Sequence, residues 1–421
     1  MTLSVTSCHD RDEWDALVNS SGGHPLQLWG WGELKSQYEW SADRVVVRDG
    51  DDVVGSAQVL LRRLPAPFKS LAYVPRGPQA AEADRARVVA ALAQHVKNTH
   101  GPIGLTIEPD WEAPFAPLEK GASDDEIASL VARPTSGWLA DVEAAGYVRS
   151  DNTGLIPHTL IVDVTRDEDT IMKELSSSTR QNVRKSFKAE NVRFGLVTEQ
   201  ADLDQVLAIN KETAKRANFA VHSDLYHEQI RDFMGPASQL IAAWEGDEVV
   251  AFVWLVVSGK TAFELYGGVS PRGMKLRLNY GLKFWAMTHV KAQGVERYDF
   301  NGLLNDGISD FKRQFAKHED MLVGTYDKSL SPMFPVFATA LPVVRSTLKR
   351  GVPAAKKTAV SLKNDPKGTL VGAAAGARVE GRRPPRQRHR PQQVGVEHQL
   401  TRPPALRLGE VLVRDPEPQR R

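Results

Sequence analysis

The sequence predicts an α/β (α+β) protein of two tandem domains, each built on a mixed twisted sheet, followed by a disordered C-terminal tail. Three observations lead there. The stretches "RDGDDVVGSAQVLL" (48–61) and "WEGDEVVAFVWLVV" (244–257) share an acid-Gly-Asp-acid-Val-Val core at an offset of 196 residues. In each, two strand-like runs meet at a Gly-containing turn, the signature of a β-hairpin, and two copies of one hairpin suggest a duplicated domain. Helix-patterned segments alternate with strands around both hairpins, whereas beyond about Gly351 the chain turns to Ala, Gly, Pro and Arg with no core-forming period.

Taken in order, "DRDEWDALVNSS" (10–21) reads as a helix before the first hairpin, and "SLAYVPRGP" (70–78) and the helix-like "EADRARVVAALAQHVKNTHG" (82–101), stopped by its final Gly, follow it. Two helical stretches, "DEDTIMKELSSSTRQNVRKSFKAEN" (167–191) and "DLDQVLAINKETAKRANF" (202–219), precede the second hairpin. After it come the strand "TAFELYGG" (261–268), the helix "NYGLKFWAMTHVKAQG" (279–294) and the strand "RYDFNG" (297–302). These readings place a first domain at 1–155 and a second at 156–330. The apolar, Pro-interrupted "PMFPVFATALPVVRSTLKR" (332–350) ends in cations and reads as an amphipathic docking helix over 331–350, with contact to a membrane surface as the other reading. Residues 351–421 read as the basic disordered tail.

Composition narrows the function classes. At 421 residues, 41% hydrophobic and 25% charged, the chain is long enough for domains with real cores. Its net charge of +2 is uneven: 378–421 holds 11 Arg and no Lys against 5 acidic residues, which leaves the body mildly acidic. One cysteine, Cys8, excludes an intramolecular disulfide and a multi-cysteine metal site. The start shows no basic segment leading into an apolar one, and the longest apolar run, "VVAFVWLVV" (249–257), is about half of the ~20 residues that a spanning helix needs, so a cytoplasmic protein is expected. The 11 His show no ligand spacing, and neither a G-x-x-x-x-G-K-[ST] loop nor a G-x-S-x-G elbow occurs, so no metal, no cofactor and no covalent enzyme intermediate are expected.

The strand, helix, strand end of the second copy resembles acyl-CoA N-acyltransferases of the GNAT type. In those enzymes a loop of the form Gln/Arg-x-x-Gly-x-Gly/Ala cradles the CoA pyrophosphate on bare amides at a helix start. The equivalent "VSPRGMKLRLNYGLKFW" (269–285) has Lys275, Leu276, Arg277 and Leu278 where small residues belong, which points to an acyl donor other than CoA. Seven stretches then fall in register: "PLQLWGWGELK" (25–35), "AYVPRGP" (72–78), "LTIEPD" (105–110), "SSSTRQNVRKSFKAENV" (176–192), "ETAKRANFAVHSDLYHEQI" (212–230), "YGGVSP" (266–271) and "YDFNGL…FKRQFA" (298–316). Together, over about Leu3 to Leu330, they resemble the Fem family of peptidoglycan bridge-forming, tRNA-dependent aminoacyltransferases. The resemblance implies two GNAT-like acyltransferase domains forming one unit. It also implies transfer of an amino acid from aminoacyl-tRNA to the stem-peptide amine of a UDP-linked or lipid-linked muramyl peptide. Only about 50 residues separate Lys188 from the second hairpin, so the compact form without the helical arm of some members is expected.

Within that resemblance, Lys312 is the candidate catalytic cation. Phe311 and Phe315 lie one helical turn apart and anchor the turn, so the Lys between them points elsewhere with little freedom. A fixed ammonium stabilises the oxyanion formed when an amine attacks the tRNA ester; an exposed Lys on an amphipathic helix is the alternative. Glu108 matches a family carboxylate at a strand end over the cleft, with Asp110 as its neighbour, to accept a proton from the attacking ammonium or orient it; a solvated loop acid is the alternative. Lys35 matches a cation that meets the diphosphate of the precursor, and Arg216, His222 and Tyr226 lie where the family keeps further precursor ligands. Arg180, Arg184 and Lys188 recur every four residues with Lys185 beside them, a basic face that either tracks tRNA phosphates or is simply solvated. The rival readings are an acyl-CoA-dependent N-acyltransferase and a non-catalytic module that binds tRNA or an envelope precursor. A monomer is expected, and peripheral contact with the inner face of the membrane stays open.

Overall fold

A computed structural model describes residues 3–339 apart from 134, 218–220 and 305. The tail reading for 351–421 and the end of the docking helix, 340–350, lie outside the described residues.

Both hairpins form where the turn chemistry places them. Ser4–Ser7 (β1) pairs antiparallel with Trp40–Asp49 (β2), which turns at Gly50 into Asp52–Arg63 (β3), and Ser70–Pro75 (β4) and Gln79–Ala80 (β5) both pair with β3. The helix Arg85–His100, closed by Gly101, returns the chain to Gly104–Glu108 (β6), parallel to β4. Four short strands follow, Leu118–Glu119 (β7), Val148–Ser150 (β8), His158–Thr159 (β9) and Ile161–Asp163 (β10). The second half adds Val192–Leu196 (β11), the hairpin Ser238–Glu245 (β12) and Glu248–Val257 (β13), then Thr261–Val269 (β14). Arg297–Asp299 (β15), His318–Met321 (β16) and Thr325–Ser329 (β17) complete it.

The larger sheets run β1-β2-β3-β4-β6-β17-β8 and β10-β15-β14-β13-β12-β11. They repeat one plan: an edge strand, a hairpin, a third strand, a crossover helix (Arg85–His100 or Leu278–Lys291) and a strand parallel to the third. The repeat extends to a defect. The ladder shifts register between Val47 and Arg48 in one hairpin and between Ala243 and Trp244 in the other, positions separated by the same 196 residues as the sequence cores. The fold is thus the expected mixed α/β pair of GNAT-like sheets.

The next place in each sheet is filled from across the chain. Beside β15 lies β10, which precedes the second half; beside β6 lies β17, which follows it. Thr325–Ser329, assigned from sequence to the second domain, therefore completes the first sheet. Its Tyr326 is buried in the first core, and the strand covers an edge of β6 that would otherwise offer unpaired backbone groups. A small sheet, β7-β16-β9, adds a further link. Residues 333–339 are helical and dock on the first half, with Phe337 buried and its ring 5.2 Å from that of Phe68. No helix among the described residues is long and apolar enough to cross a membrane.

One apolar core runs continuously between the halves, joining Trp14, Trp31 and Tyr38 to Tyr226, Ile230 and Trp254. The helix Trp29–Ser36 lies against Asp224–Met234 there, so closely that a Cβ on Gly30 would stand 2.2 Å from the Phe233 carbonyl oxygen. Gly30→Ala must push the two helices apart, and a loss of about 3 kcal/mol in unfolding free energy is expected from urea titration.

Candidate active site

The second half holds a cavity of about 260 Å³ between β14, the helices Gln200–Ala217 and Leu278–Lys291, and the segment that leads to Lys312. Lys312, Arg216, Asn301, Glu264, Lys283 and Phe311 all contribute to its wall.

Lys312 ends the short helix Gly307–Lys312, whose start is capped by Asp306. The Phe311 and Phe315 rings meet edge to face at 5.3 Å, Phe311 meets Tyr280 at 5.0 Å, and Phe315 meets Phe300 at 5.3 Å. Held by this aromatic group, the ammonium donates to the carbonyl of Asn301 and, at 3.0 Å, to that of Gly302. Burial outweighs the pull of nearby Glu264 and pushes Lys312 down to about 8. With two of its three protons on carbonyls, the ammonium has one left for a ligand.

Glu264 accepts from Lys283 and, at 2.6 Å, from the Tyr298 hydroxyl. Burial, reinforced by the charge of Glu264, raises Tyr298 well above the usual phenol range. Sequence reasoning missed this group. Its signal was present in the chain: an acid inside the otherwise apolar strand "TAFELYGG" and a Lys inside the buried helix face "YGLKFW".

Lys35, His222 and Tyr226, far apart in sequence, meet at the joint between the halves. Lys35 is buried, donates to the Tyr226 hydroxyl at 3.0 Å and lies 5.3 Å from the Trp31 ring centre. His222 stacks on Tyr226 at 3.8 Å. Burial, then the charge of Lys35, hold His222 well below the usual histidine range, so it is neutral at pH 7. This group abuts the cavity through His227, which sits 4.9 Å from the Tyr266 ring and accepts from Asn210 at 3.2 Å, both residues of the cavity wall. Arg216 stands apart from it, with its guanidinium on the Val269 carbonyl and on Glu212, each at 3.2 Å.

The structure places Glu108 and Asp110 outside the cavity, and neither is a solvated loop acid. Glu108 is buried and accepts from the Tyr73 hydroxyl, from the amides of Gly154 and Leu155 at 2.5 and 2.9 Å, and from the Thr325 hydroxyl at 2.7 Å. Burial raises its pKa against these bonds. A carboxylate holding four donors has no lone pair directed at an attacking ammonium. Burial works to raise Asp110 as well, but Arg297, bound at 2.8 Å, overrides it and holds the carboxylate low. Asp110, His24 and Asp299 bring ligand-type atoms within 4.8 Å of one another. His24 Nδ1, however, accepts the Leu26 amide at 3.1 Å, which leaves the proton on Nε2, and both carboxylates feel Arg76. Arg76 and Arg297 act on His24 and Asp110, and His24 Nε2, Asp110 Oδ1 and Asp299 Oδ2 form no hydrogen bond among the described residues.

On the helix Ser177–Phe187 and just beyond it, Arg184, Lys185 and Lys188 are exposed around a surface hollow with Gln181 and Leu276. Arg180 is drawn back to the Lys173 and Leu175 carbonyls at 3.1 and 2.5 Å. After β14, Ser270 caps the short helix Pro271–Leu276, and Arg277, at φ 62°, leads into Leu278–Lys291. The connection is thus a capped helix with Lys275 and Arg277 exposed on it, unlike an open row of amides.

The duplicated fold agrees with the resemblance read from the seven stretches. The chain belongs to the FemAB family, whose family model matches residues 10–244 and 234–341. The lipid II:glycine glycyltransferase of Staphylococcus aureus strain MRSA252 is 20% identical over 413 residues, covering 78% of this chain and 94% of that protein. The protein of the same name from strain COL is 21% identical with the same coverage. The crystal structure of FemX has a TM-score of 0.66 at 19% identity, over 79% of this chain and 99% of that one.

Glu108→Ala leaves four buried donors without their acceptor. A loss of about 3–5 kcal/mol in unfolding free energy is expected, read from the urea midpoint.

Proposed function

We propose that this protein transfers an amino acid from aminoacyl-tRNA to the stem-peptide amine of a peptidoglycan precursor. The observation that carries the reading is the Lys312 ammonium, clamped on two carbonyls in the wall of a cavity and flanked by anchored aromatics. When the acceptor amine attacks the ester carbonyl, the C–N bond forms and negative charge develops on the carbonyl oxygen. The third proton of Lys312 meets that oxygen, the C–O bond to the tRNA ribose then breaks, and the departing ribose oxygen takes up the proton that the attacking amine gives up. Lys35, with Tyr226 and His222, receives the diphosphate of the acceptor at the joint, and Arg216 guards the cavity rim. Arg184, Lys185 and Lys188 follow the tRNA backbone by charge. The names of the relatives support a lipid-linked acceptor, which would be met in the cytoplasm against the inner face of the membrane by a monomer. The capped helix after β14 weighs against CoA as donor.

Incubating the protein with a set of charged tRNAs and with lipid-linked and UDP-linked precursors, then weighing the products, tests the reading. Product with acetyl-CoA alone, or none from any tRNA, would reject it. Lys312→Met should lower kcat about 100-fold with precursor KM little changed. Because the protonated form is the working one and titrates at about 8, kcat should decline as pH rises through that value. Lys35→Ala should raise the precursor KM by ~10- to 100-fold, as a charge-assisted hydrogen bond requires, and should have no such effect on a precursor lacking the diphosphate.

A further inference from the structure

We propose that Asp299 is a positioning residue for Lys312, a carboxylate that shapes the cradle of the ammonium while lying on the seam between the two halves. The inference rests on the transfer reading given above for Lys312. Side chains alternate along β15. Tyr298 reaches Glu264, while Arg297 and Asp299 face the first half, where Arg297 holds Asp110 and Asp299 lies beside Asp110 and His24.

Asp299 is 1% exposed. Its Oδ1 accepts the Thr159 hydroxyl at 2.5 Å and the Asn301 amide at 2.8 Å. The second bond closes an Asx-type turn and fixes two successive left-handed residues, Asn301 at φ 54° and Gly302 at φ 56°. Side chains avoid this region, and at Gly302 a Cβ would also stand 2.8 Å from Ile156. The Asn301 side-chain amide adds a bond to the Glu264 carbonyl at 2.9 Å. With both residues left-handed, successive carbonyls point the same way, and both receive Lys312.

Asp299 Oδ2 is buried with no hydrogen-bond partner among the described residues, and so are Asp110 Oδ1 and His24 Nε2. A buried carboxylate kept for packing alone is replaceable by an apolar side chain at little cost. Here one carboxylate oxygen shapes the Lys312 cradle while the group as a whole feels the charges of Arg76 and Asp110 in the first half.

The test uses the full chain and four variants. Asp299→Asn keeps an Oδ1 acceptor and Asp299→Ala removes it; Asn301→Gly keeps left-handed freedom and Asn301→Ala loses it. The Lys312 ammonium is followed by NMR with 15N-lysine, assigned by its loss in Lys312→Met, and kcat and KM are measured across the neutral range. Asp299→Ala should lower kcat about 10- to 100-fold while the precursor KM stays within about threefold, the mark of misplacement. In the same variant Lys312 should titrate at lower pH than in the wild type. Asp299→Asn should keep kcat within about threefold of the wild type, and Asn301→Gly should be more active than Asn301→Ala. The charged groups facing Lys312 are Glu264, Lys283, Asp299 and Asp306. Asp306→Asn, which retains a helix cap, therefore separates loss of charge from loss of the turn and should keep kcat. Should Asp299→Ala fail to fold, Asn301→Ala breaks the same turn and is read in the same way. An Asp299→Asn variant as impaired as Asp299→Ala, or Lys312 titrating unchanged in Asp299→Ala, overturns the assignment. The titration needs no turnover, so an unaffected Lys312→Met refutes the transfer reading alone.

Discussion

The buried carboxylate of Glu108 is the tie on which both halves depend. It stands at the end of β6 and collects the Tyr73 hydroxyl from β4, two amides from the segment between the halves, and the Thr325 hydroxyl from β17. Each bond satisfies a lone pair that would be costly to bury alone. Together they bring three distant parts of the chain to one point. Once β17 is held there, β16 just before it pairs with β7 and β9. The helix Gly307–Lys312, shortly before β16, then sits against Tyr280. The position of the candidate catalytic lysine is in this sense inherited from a carboxylate that lies outside the cavity.

How much of this was legible depended on whether the cause was local. The two hairpins were, because an acid-Gly turn between Val-rich runs fixes them from neighbouring residues, and the shared register shift at Val47 and Ala243 is a finer form of the same local chemistry. The aim of Lys312 was legible in part. The spacing of Phe311 and Phe315 announced an anchored turn, but "FNGL" reads only as a bend, and its carbonyl cradle depends on Asp299, Thr159 and Glu264 together. Glu108 was read as a carboxylate over the cleft or a loop acid because "IEPD" contains none of its four partners. Thr325–Ser329, "TYDKS", lacks the apolar alternation that would assign it to a sheet; Tyr326 and the bond to Glu108 assign it, and neither is visible from the segment alone.

Charge is distributed on both sides of one short strand. From β15, Tyr298 turns towards Glu264 and Lys283 at the cavity, and Arg297 and Asp299 turn towards Asp110 and His24 at the seam. Neighbouring residues of one strand thus serve the cavity and the joint at once, and Asn301 and Gly302 follow directly to hold Lys312. A displacement of β15 by one residue would exchange the two faces.

The exchange of strands has a consequence during synthesis. The open edge of β6 emerges from the ribosome long before its partner exists, because Thr325 lies 217 residues after Glu108. At roughly 5–20 residues per second, the nascent first half waits on the order of 10–45 s with an unpaired strand edge exposed. Such an edge is a template for pairing with another chain. The newborn protein is therefore open to aggregation until Thr325–Ser329 has been translated, and a ribosome that stalls before Thr325 leaves the first sheet incomplete.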